Sequence, residues 1–182
     1  SRVRAATKRP MNLAAERPAA SSCATRAPAH PRVALYGTGV RPPALPVCDH
    51  YAGSERFLRK ALDLQAASAV QGRVRFDITA DCEDGAPLGA ELAHARLIGE
   101  IVASADNRSG RLGVRIHDLT SAHWRNDLEA IVPRAPRRLA YVVVPKLEAV
   151  SQLEGVLRML EQLAPGHPIP LHVLVETHGA LR

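Results

Sequence analysis

The chain has 182 residues, 46% of them hydrophobic, so it is long enough and apolar enough for one domain with a hydrophobic core and is not a wholly disordered protein. No run approaches the roughly 18 apolar residues of a membrane span, and no apolar signal-peptide core is present, so we expect no membrane partner. The three cysteines are widely spaced without a Cys-x-x-Cys pair, which argues against a disulfide framework or zinc ribbon and favours a cytoplasmic protein.

The formal net charge of +6 originates in residues 1–43. This segment holds eight basic residues and one acid, Glu16, whereas residues 44–182 hold 16 basic and 17 acidic residues. The segment is also rich in Pro, Ala and Ser and shows neither helical nor strand periodicity, so we predict a disordered basic N-terminal tail. Its basic residues are scattered and Tyr36 is its only aromatic residue, so we expect no nucleic-acid partner.

The ordered part begins with a short apolar run, residues 44–48, which predicts the first strand and leaves residues 49–51 in a loop. A helix follows, because Ser54 is a favourable N-cap and Glu55 lies in the first turn. The core-facing side of this helix is predicted to hold Phe57, Leu58, Ala61, Leu62 and Gln65.

Residues 76–85 form a β-prone run that becomes acidic at its end, with Asp81, Glu83 and Asp84 before a break at Gly85. Such a strand concentrates negative charge at one sheet edge, where a hard cation or a cationic side chain is favoured. In the alternative interpretation, Asp84 caps the next helix and Asp81 is solvated.

Three later segments repeat this design, at residues 112–118, 141–146 and 171–177. Each is a short Val, Ile and Leu run with charge near its C-terminal end. From Asp81, the residues Arg115, Lys146 and Glu176 follow at successive intervals of 34, 31 and 30 positions, each enough for one strand, one helix and two loops. This spacing is typical of a βαβ repeat.

The segments between these runs predict three further helices from their apolar periodicity. The first is predicted to begin at Pro87 and to bury Leu88, Leu92, Ala95, Ile98, Ile101 and Val102. The second is predicted to begin at Ser121 and to bury Trp124, Leu128 and Ile131. The third is predicted to end before Gly166 and to bury Val150, Leu153, Leu157, Leu160 and Ala164.

Two α/β architectures fit this alternation. A doubly wound, flavodoxin-like sheet of five strands would be complete in this length, whereas a (β/α)₈ TIM barrel needs about 250 residues, so the chain would cover its first five strands. In either architecture the C-terminal strand ends meet at one edge. We therefore expect six charged side chains to face a common region, namely Asp81, Glu83, Asp84, Arg115, Lys146 and Glu176.

These residue types suggest metal-assisted chemistry on a carboxylate. Carboxylates from different strands can hold Mg²⁺, which would polarise a substrate carbonyl. Arg115 is suited to bidentate binding of a substrate carboxylate. Alternatively, Arg115 forms only an internal ion pair with Asp81 or Glu83, and Lys146 merely closes its strand.

The segment Asp81-Cys82-Glu83-Asp84-Gly85 resembles the Asp-x-Glu-Asp-Ala/Gly motif of the HpcH/HpaI aldolase and citrate lyase family. Three further motifs follow at family-like spacing, at residues 114–116, 144–146 and 175–177. The resemblance covers residues 44–182 and includes citrate lyase β-subunits and malyl-CoA lyases. It implies a (β/α)₈ barrel, Mg²⁺ dependence and a homo-oligomer such as a trimer or hexamer.

The resemblance also implies roles for individual residues. Glu176 matches the first Mg²⁺ ligand, and Arg115 matches the catalytic arginine that binds the keto-acid carboxylate and the developing enolate. Glu83 and Asp84 match the catalytic acidic pair that orients metal-bound water or Arg115. Substrate contacts are expected from Arg115 and from three further residues, Lys146, Asp81 and Thr177.

The expected function is therefore Mg²⁺-dependent carbon–carbon cleavage of a carboxylated acyl-CoA or of a 2-keto or 2-hydroxy acid. Residues 44–50 differ from the family segment that contacts coenzyme A, so the use of coenzyme A stays open. The resemblance places a second metal ligand after Arg182, so the chain is expected to be the N-terminal part of a longer barrel. The rival hypotheses are a non-catalytic partner subunit and a complete flavodoxin-like binding domain.

Overall fold

The computed structural model describes Val33, residues 48–69 and residues 73–181. The predicted tail over residues 1–43 lies outside the described residues, apart from Val33, and so do residues 44–47 of the predicted first strand. The described residues form an α/β unit in which parallel strands alternate with helices, as the sequence predicts.

The elements of this unit alternate regularly along the chain. The strands are β1 (Cys48–Ala52), β2 (Phe76–Asp81), β3 (Leu112–Arg115), β4 (Leu139–Val144) and β5 (Leu171–Val173). The helices are α1 (Glu55–Ser68), α2 (Glu91–Ala103), α3 (His123–Ile131) and α4 (Leu153–Leu163). Short 3₁₀ turns at Val132–Arg134, Pro136–Arg138 and Val150–Gln152 join them. None of the described helices is long and apolar enough to cross a membrane.

The strands stand in the sheet in chain order, β1 to β5, and every described pair is parallel. A flavodoxin-like sheet reverses its strand order at a switch point. The sequential order shows no reversal, so the flavodoxin-like hypothesis is wrong. Neighbouring strands of a (β/α)₈ barrel do follow one another in this way, and right-handed crossovers then place all helices on one face.

The predicted loop over residues 49–51 is wrong. The described part of the first strand, Cys48–Ala52, includes these residues, and Asp49 and Tyr51 pair in register with Asp77 and Thr79. The local pattern does not mark them as a strand, because Asp49 and His50 are polar. The polar side chain of Asp49 is tolerated in the strand because it accepts hydrogen bonds from Thr79 on the neighbouring strand β2 and from Tyr141 on β4.

The predicted helices exist, with corrections at their ends. Ser54 caps α1 by accepting a hydrogen bond from Phe57 N, as predicted, but Phe57 itself is 62% exposed. Helix α2 begins at Glu91, because residues 87–90 form a turn closed by Ala90 N and Pro87 O, which leaves Leu88 fully exposed. The predicted core positions of α3 are all buried, whereas Val150 and Leu157 of the last helical segment are exposed.

The two faces of the sheet differ in chemistry. The face toward the helices is apolar and fully buried, with Ile78, Ala80, Val114, Val142 and Val144 in the hydrophobic core. On β2 the intervening residues are Asp77, Thr79 and Asp81, all buried and polar. Successive side chains of a strand point to opposite faces, so these three residues lie on the other side of the sheet.

A hydrogen-bonded network connects the strands on this polar face. The hydroxyl of Tyr141 on β4 lies 2.9 Å from Thr79 Oγ1 on β2 and 3.2 Å from Asp49 Oδ1 on β1. Its ring reaches them by crossing β3 at Gly113, where a Cβ atom would lie 2.1 Å from Tyr141 Cε2. The ring also stacks on His172 of β5 at a centroid distance of 4.0 Å. Gly113 is therefore required for the contact between β4 and β1.

We expect Gly113→Ala to lower the free energy of unfolding by about 1–3 kcal/mol, the usual cost of overpacking. The Tyr141 ring is held by hydrogen bonds on one side and by His172 on the other, so it has little freedom to move away. Urea denaturation followed by circular dichroism measures this change.

The matched control is Gly155→Ala on α4, where the nearest atom to a new Cβ is Trp124 Cη2 at 3.8 Å. Alanine is the better helix former, so this variant should keep or raise stability. Equal stability of the two variants would show that Tyr141 does not depend on Gly113.

Candidate active site

The other five predicted charged side chains are linked to Arg115. Asp81, Glu83 and Asp84 contact it directly, Lys146 is linked through Glu83, and Glu176 is linked through Lys146. Arg115 is the last residue of β3 and pairs in register with Asp81, the last residue of β2. Glu83 and Asp84 follow β2, while Lys146 and Glu176 lie in the loops after β4 and β5. The parallel sheet brings these positions together because all its strands end at the same edge.

The Arg115 guanidinium contacts all three acids of the segment after β2. Its Nε and Nη2 donate to the two oxygens of Asp81 at 2.8 and 2.7 Å, a bidentate pair. Its Nη2 also donates to Asp84 Oδ2 at 2.6 Å, and Nη1 lies 2.9 Å from Glu83 Oε2. A guanidinium has five N–H donors. Among the described residues, one Nη1 hydrogen has no partner and is available to a ligand.

Burial separates these contacts into strong and weak ones. The side chains of Arg115, Asp81 and Glu83 are 13%, 9% and 6% exposed, whereas that of Asp84 is 72% exposed. The hydrogen bond to Asp81 is the largest cause of the raised pKa of Arg115, which stays charged at any relevant pH. Water screens the Asp84 contact, so it contributes little to stability and exchanges readily. Asp81 therefore fixes the orientation of Arg115.

Lys146 connects this cluster to Glu176. Its ammonium lies 2.7 Å from Glu83 Oε1, and this carboxylate raises the pKa of Lys146. Its backbone N–H donates to Glu176 Oε1 at 2.9 Å. Lys146 has a φ of +50°, which is uncommon for a residue with a Cβ. The turn after β4 thus has a strained backbone conformation. In this conformation the ammonium of Lys146 reaches Glu83 while its backbone N–H reaches Glu176.

The acidic segment reaches Arg115 because the chain turns sharply after β2. Cys82 N donates to Arg115 O at 2.9 Å, which extends the pairing of the two strands by one residue. Glu83 N then donates to Asp81 Oδ1 at 3.1 Å. A Cβ at Gly85 would lie 2.4 Å from both Asp81 O and Gly53 Cα, so only glycine fits where the loops after β1 and β2 meet.

Sequence reasoning missed Tyr51 as a member of the cluster. The Arg115 guanidinium carbon lies 5.3 Å from the centre of its ring, within the range of a cation–π contact. The sequence predicts a loop at this position, because the preceding Asp49 and His50 are polar. No local signal identifies Tyr51, and only its pairing in register with Thr79 of β2 shows that it lies in the sheet.

A second pair that the sequence did not reveal lies just after Arg115. His117 Nδ1 and its backbone N both donate to Asp127 Oδ2 on α3, at 2.8 and 2.9 Å. Asp127 is 1% exposed, and burial raises its pKa. The two residues are ten positions apart with no recognisable motif, and the pair fixes the segment after β3.

A polar cleft of about 270 Å³ adjoins the cluster. Two predicted substrate-binding residues, Lys146 and Thr177, line it. The Thr177 hydroxyl accepts a hydrogen bond from Ala180 N at 3.2 Å. The remaining lining residues come from the segments after β3 and β4, which are Asp118, Leu119, Thr120, Glu148 and Gln152.

The charges of the cluster do not cancel. Two cations, Arg115 and Lys146, face four carboxylates, for a formal charge of −2. Both oxygens of buried Glu83 lie in ion-pair contact but accept no hydrogen bond of regular geometry. Within residues 48–69 and 73–181, no three His, Cys, Asp or Glu side chains group closely enough to hold a metal ion by themselves.

Known proteins include a structural neighbour of this chain. No protein-family model matches the chain, and no curated protein matches it. Among solved structures, the chain is similar to a citrate lyase from Burkholderia xenovorans LB400, with 44% sequence identity and a TM-score of 0.70. The similarity covers 78% of this chain and 44% of that protein, so the chain spans less than half the length of that citrate lyase.

We expect Arg115→Met to lower the free energy of unfolding by about 3–5 kcal/mol, because it leaves the carboxylate of Asp81 buried without its cation and that of Glu83 with Lys146 alone. Urea denaturation at pH 7 measures the loss.

The matched control is Arg158→Met, whose arginine side chain is 71% exposed and pairs with Glu154 on its own helix. This variant should stay within about 0.5 kcal/mol of the unaltered chain. A loss below about 1 kcal/mol for Arg115→Met would mean that its ion pairs do not organise the fold.

Proposed function

We propose that this chain carries part of the active site of a carbon–carbon lyase of the citrate lyase type, dependent on Mg²⁺. The substrate is a carboxylated acyl-CoA or a 2-keto or 2-hydroxy acid. The observation that carries the proposal is the Arg115 cluster at the C-terminal edge of the sheet, in a chain 44% identical to a citrate lyase over most of its length.

The charge of the cluster supports a divalent cation. A site with a formal charge of −2 repels an anionic substrate, and a divalent cation neutralises it. Mg²⁺ prefers oxygen ligands and binds through one or two carboxylates while keeping several waters, so it does not need three protein ligands. Glu176 would hold it, since only one of its oxygens is bound by Lys146 N. When bound, Mg²⁺ supplies Lewis-acid polarisation of the substrate carbonyl.

Arg115 binds the substrate carboxylate in this proposal. One Nη1 hydrogen has no partner in the part of the chain that the structure describes, and the exposed contact of Nη2 with Asp84 is the one that a ligand displaces at least cost. A carboxylate in that position would receive two N–H donors from one guanidinium. The fixed charge also stabilises the negative charge that develops as the carbon–carbon bond breaks.

The other residues act through this arginine or beside it. Asp81 uses both of its oxygens on Arg115, so we assign it a positioning role. Glu83 links Arg115 to Lys146 and keeps both cations at the same edge. Lys146 and Thr177 line the adjoining cleft, which supports the proposal that they contact the rest of the substrate.

The family resemblance further leads us to propose a homo-oligomer. Light scattering coupled to size-exclusion chromatography distinguishes a trimer or hexamer from a monomer. A monomeric chain would overturn this part of the proposal and leave the assignment of the cluster unchanged.

We expect the chain to bind pyruvate in a Mg²⁺-dependent manner and Glu176→Gln to weaken this binding by roughly tenfold or more. Even groups that only support metal ligands cost about this much when removed. Glu176 is exposed, so the variant should fold. Isothermal titration calorimetry with and without Mg²⁺ measures the effect.

The control is Glu161→Gln, which makes the same charge change on an exposed residue of α4. This variant should bind as the unaltered chain does. Binding that ignores Mg²⁺, or no binding at all, would contradict the lyase proposal and favour a non-catalytic partner subunit.

A further inference from the structure

The polar cleft beside the Arg115 cluster is built from three loops that follow neighbouring strands. Asp118 and Thr120 follow β3, Lys146, Glu148 and Gln152 follow β4, and Thr177 follows β5. Lys146 belongs to both the cleft and the cluster, since its ammonium contacts Glu83. A ligand held by Arg115 that is long enough to pass Lys146 would enter this cleft. The residues that line the cleft would then decide which chemical groups that part of the ligand can carry.

One carboxylate of the cleft is locked in its charged form. Asp118 Oδ1 accepts hydrogen bonds from Thr120 N at 2.9 Å, from Ser121 N at 3.2 Å and from the Thr120 hydroxyl. These bonds lower the pKa of Asp118, with the hydroxyl as the largest cause. Asp118 therefore keeps its negative charge at neutral pH.

Two neutral side chains of the cleft, Gln152 and Thr177, can donate hydrogen bonds to a ligand. Gln152 Oε1 accepts from Glu148 N at 2.9 Å and from Ala149 N at 3.0 Å, which leaves its amide NH₂ for a ligand. The Thr177 hydroxyl oxygen accepts from Ala180 N, which leaves its hydrogen. The cleft thus presents an amide donor and a hydroxyl donor beside carboxylate acceptors.

The charge of the cleft disfavours an anion. Its carboxylates are Asp118 and Glu148, and its cation, Lys146, is already paired with Glu83 at 2.7 Å. A second carboxylate on the ligand would meet the charges of Asp118 and Glu148, with only the ammonium shared with Glu83 to offset them, whereas an amide can both donate and accept here.

We propose that this cleft binds the part of the substrate beyond the carboxylate held by Arg115, and that it selects a neutral hydrogen-bonding group over a second carboxylate. This inference rests on the proposed function, and it narrows the substrate class of that same site. Glu148 is the specificity-determining residue, because it is exposed and lines the cleft, whereas the carboxylate of Asp118 accepts the hydrogen bonds of its own turn.

The test compares two ligands of the same shape, oxaloacetate and its C4 amide, 2-oxosuccinamate, by calorimetry with the full chain and Mg²⁺. We expect the amide to bind about threefold to tenfold more tightly, the effect of one like charge at short range in a solvent-exposed site. Glu148→Gln should reduce this ratio by about threefold or more by strengthening the binding of oxaloacetate. A gain of binding cannot result from misfolding.

The matched control is Glu129→Gln, which removes the same charge from an exposed position on α3 outside the cleft. It should leave the ratio unchanged. Equal or tighter binding of oxaloacetate by the unaltered chain, or a ratio that Glu148→Gln does not change, overturns the inference. If the inference is overturned but pyruvate still binds with Mg²⁺, the proposed function stands and only the selectivity of the cleft is wrong. If pyruvate also fails to bind, the proposed function and the inference are both wrong.

Discussion

The bidentate ion pair between Arg115 and Asp81 is the interaction on which this site depends. It joins the last residues of two neighbouring strands and is almost fully buried, so both side chains have one fixed geometry. The segment after β2 then turns back and adds Glu83 and Asp84 to the same guanidinium. Removing a buried charge from such a group costs far more than removing an exposed one, so the cluster is coupled to the stability of the sheet.

The polar face of the sheet places this ion pair in a wider pattern. A second bidentate pair joins Asp77 on β2 to Arg111, the residue just before β3, four positions earlier in each segment. Between the two pairs, Tyr141 crosses Gly113 to reach Thr79. Apolar residues fill the helix-facing side, while hydrogen-bonded polar groups occupy the other. One face of the sheet therefore packs in the hydrophobic core. The other face carries polar residues, and its strands end in the charged residues of the cluster.

Much of this architecture follows from local pattern. The interval of about 30 residues between charged strand ends predicted the βαβ repeat, and the acidic segment with Arg115, Lys146 and Glu176 was predicted to converge. The likeness to a citrate lyase agrees with the family that those motifs resemble. The misses have physical causes. Tyr51 was placed in a loop because a strand containing Asp49 looks too polar until its partners on β2 and β4 are known. The Asp127–His117 pair depends on a contact between a helix and a strand end that no spacing rule encodes.

The sequence by itself determined the alternation of strands and helices, the apolar face of each element and the acids and bases at the strand ends, because these depend on periodicity and turn chemistry within short segments. Only the tertiary structure decided the strand order, which excludes a doubly wound sheet, and the partners of each charge. It also decided that Asp81 is committed to Arg115 while Asp84 stays exposed. Burial and register arise from contacts between segments more than 30 residues apart, and the local pattern of the chain does not contain them.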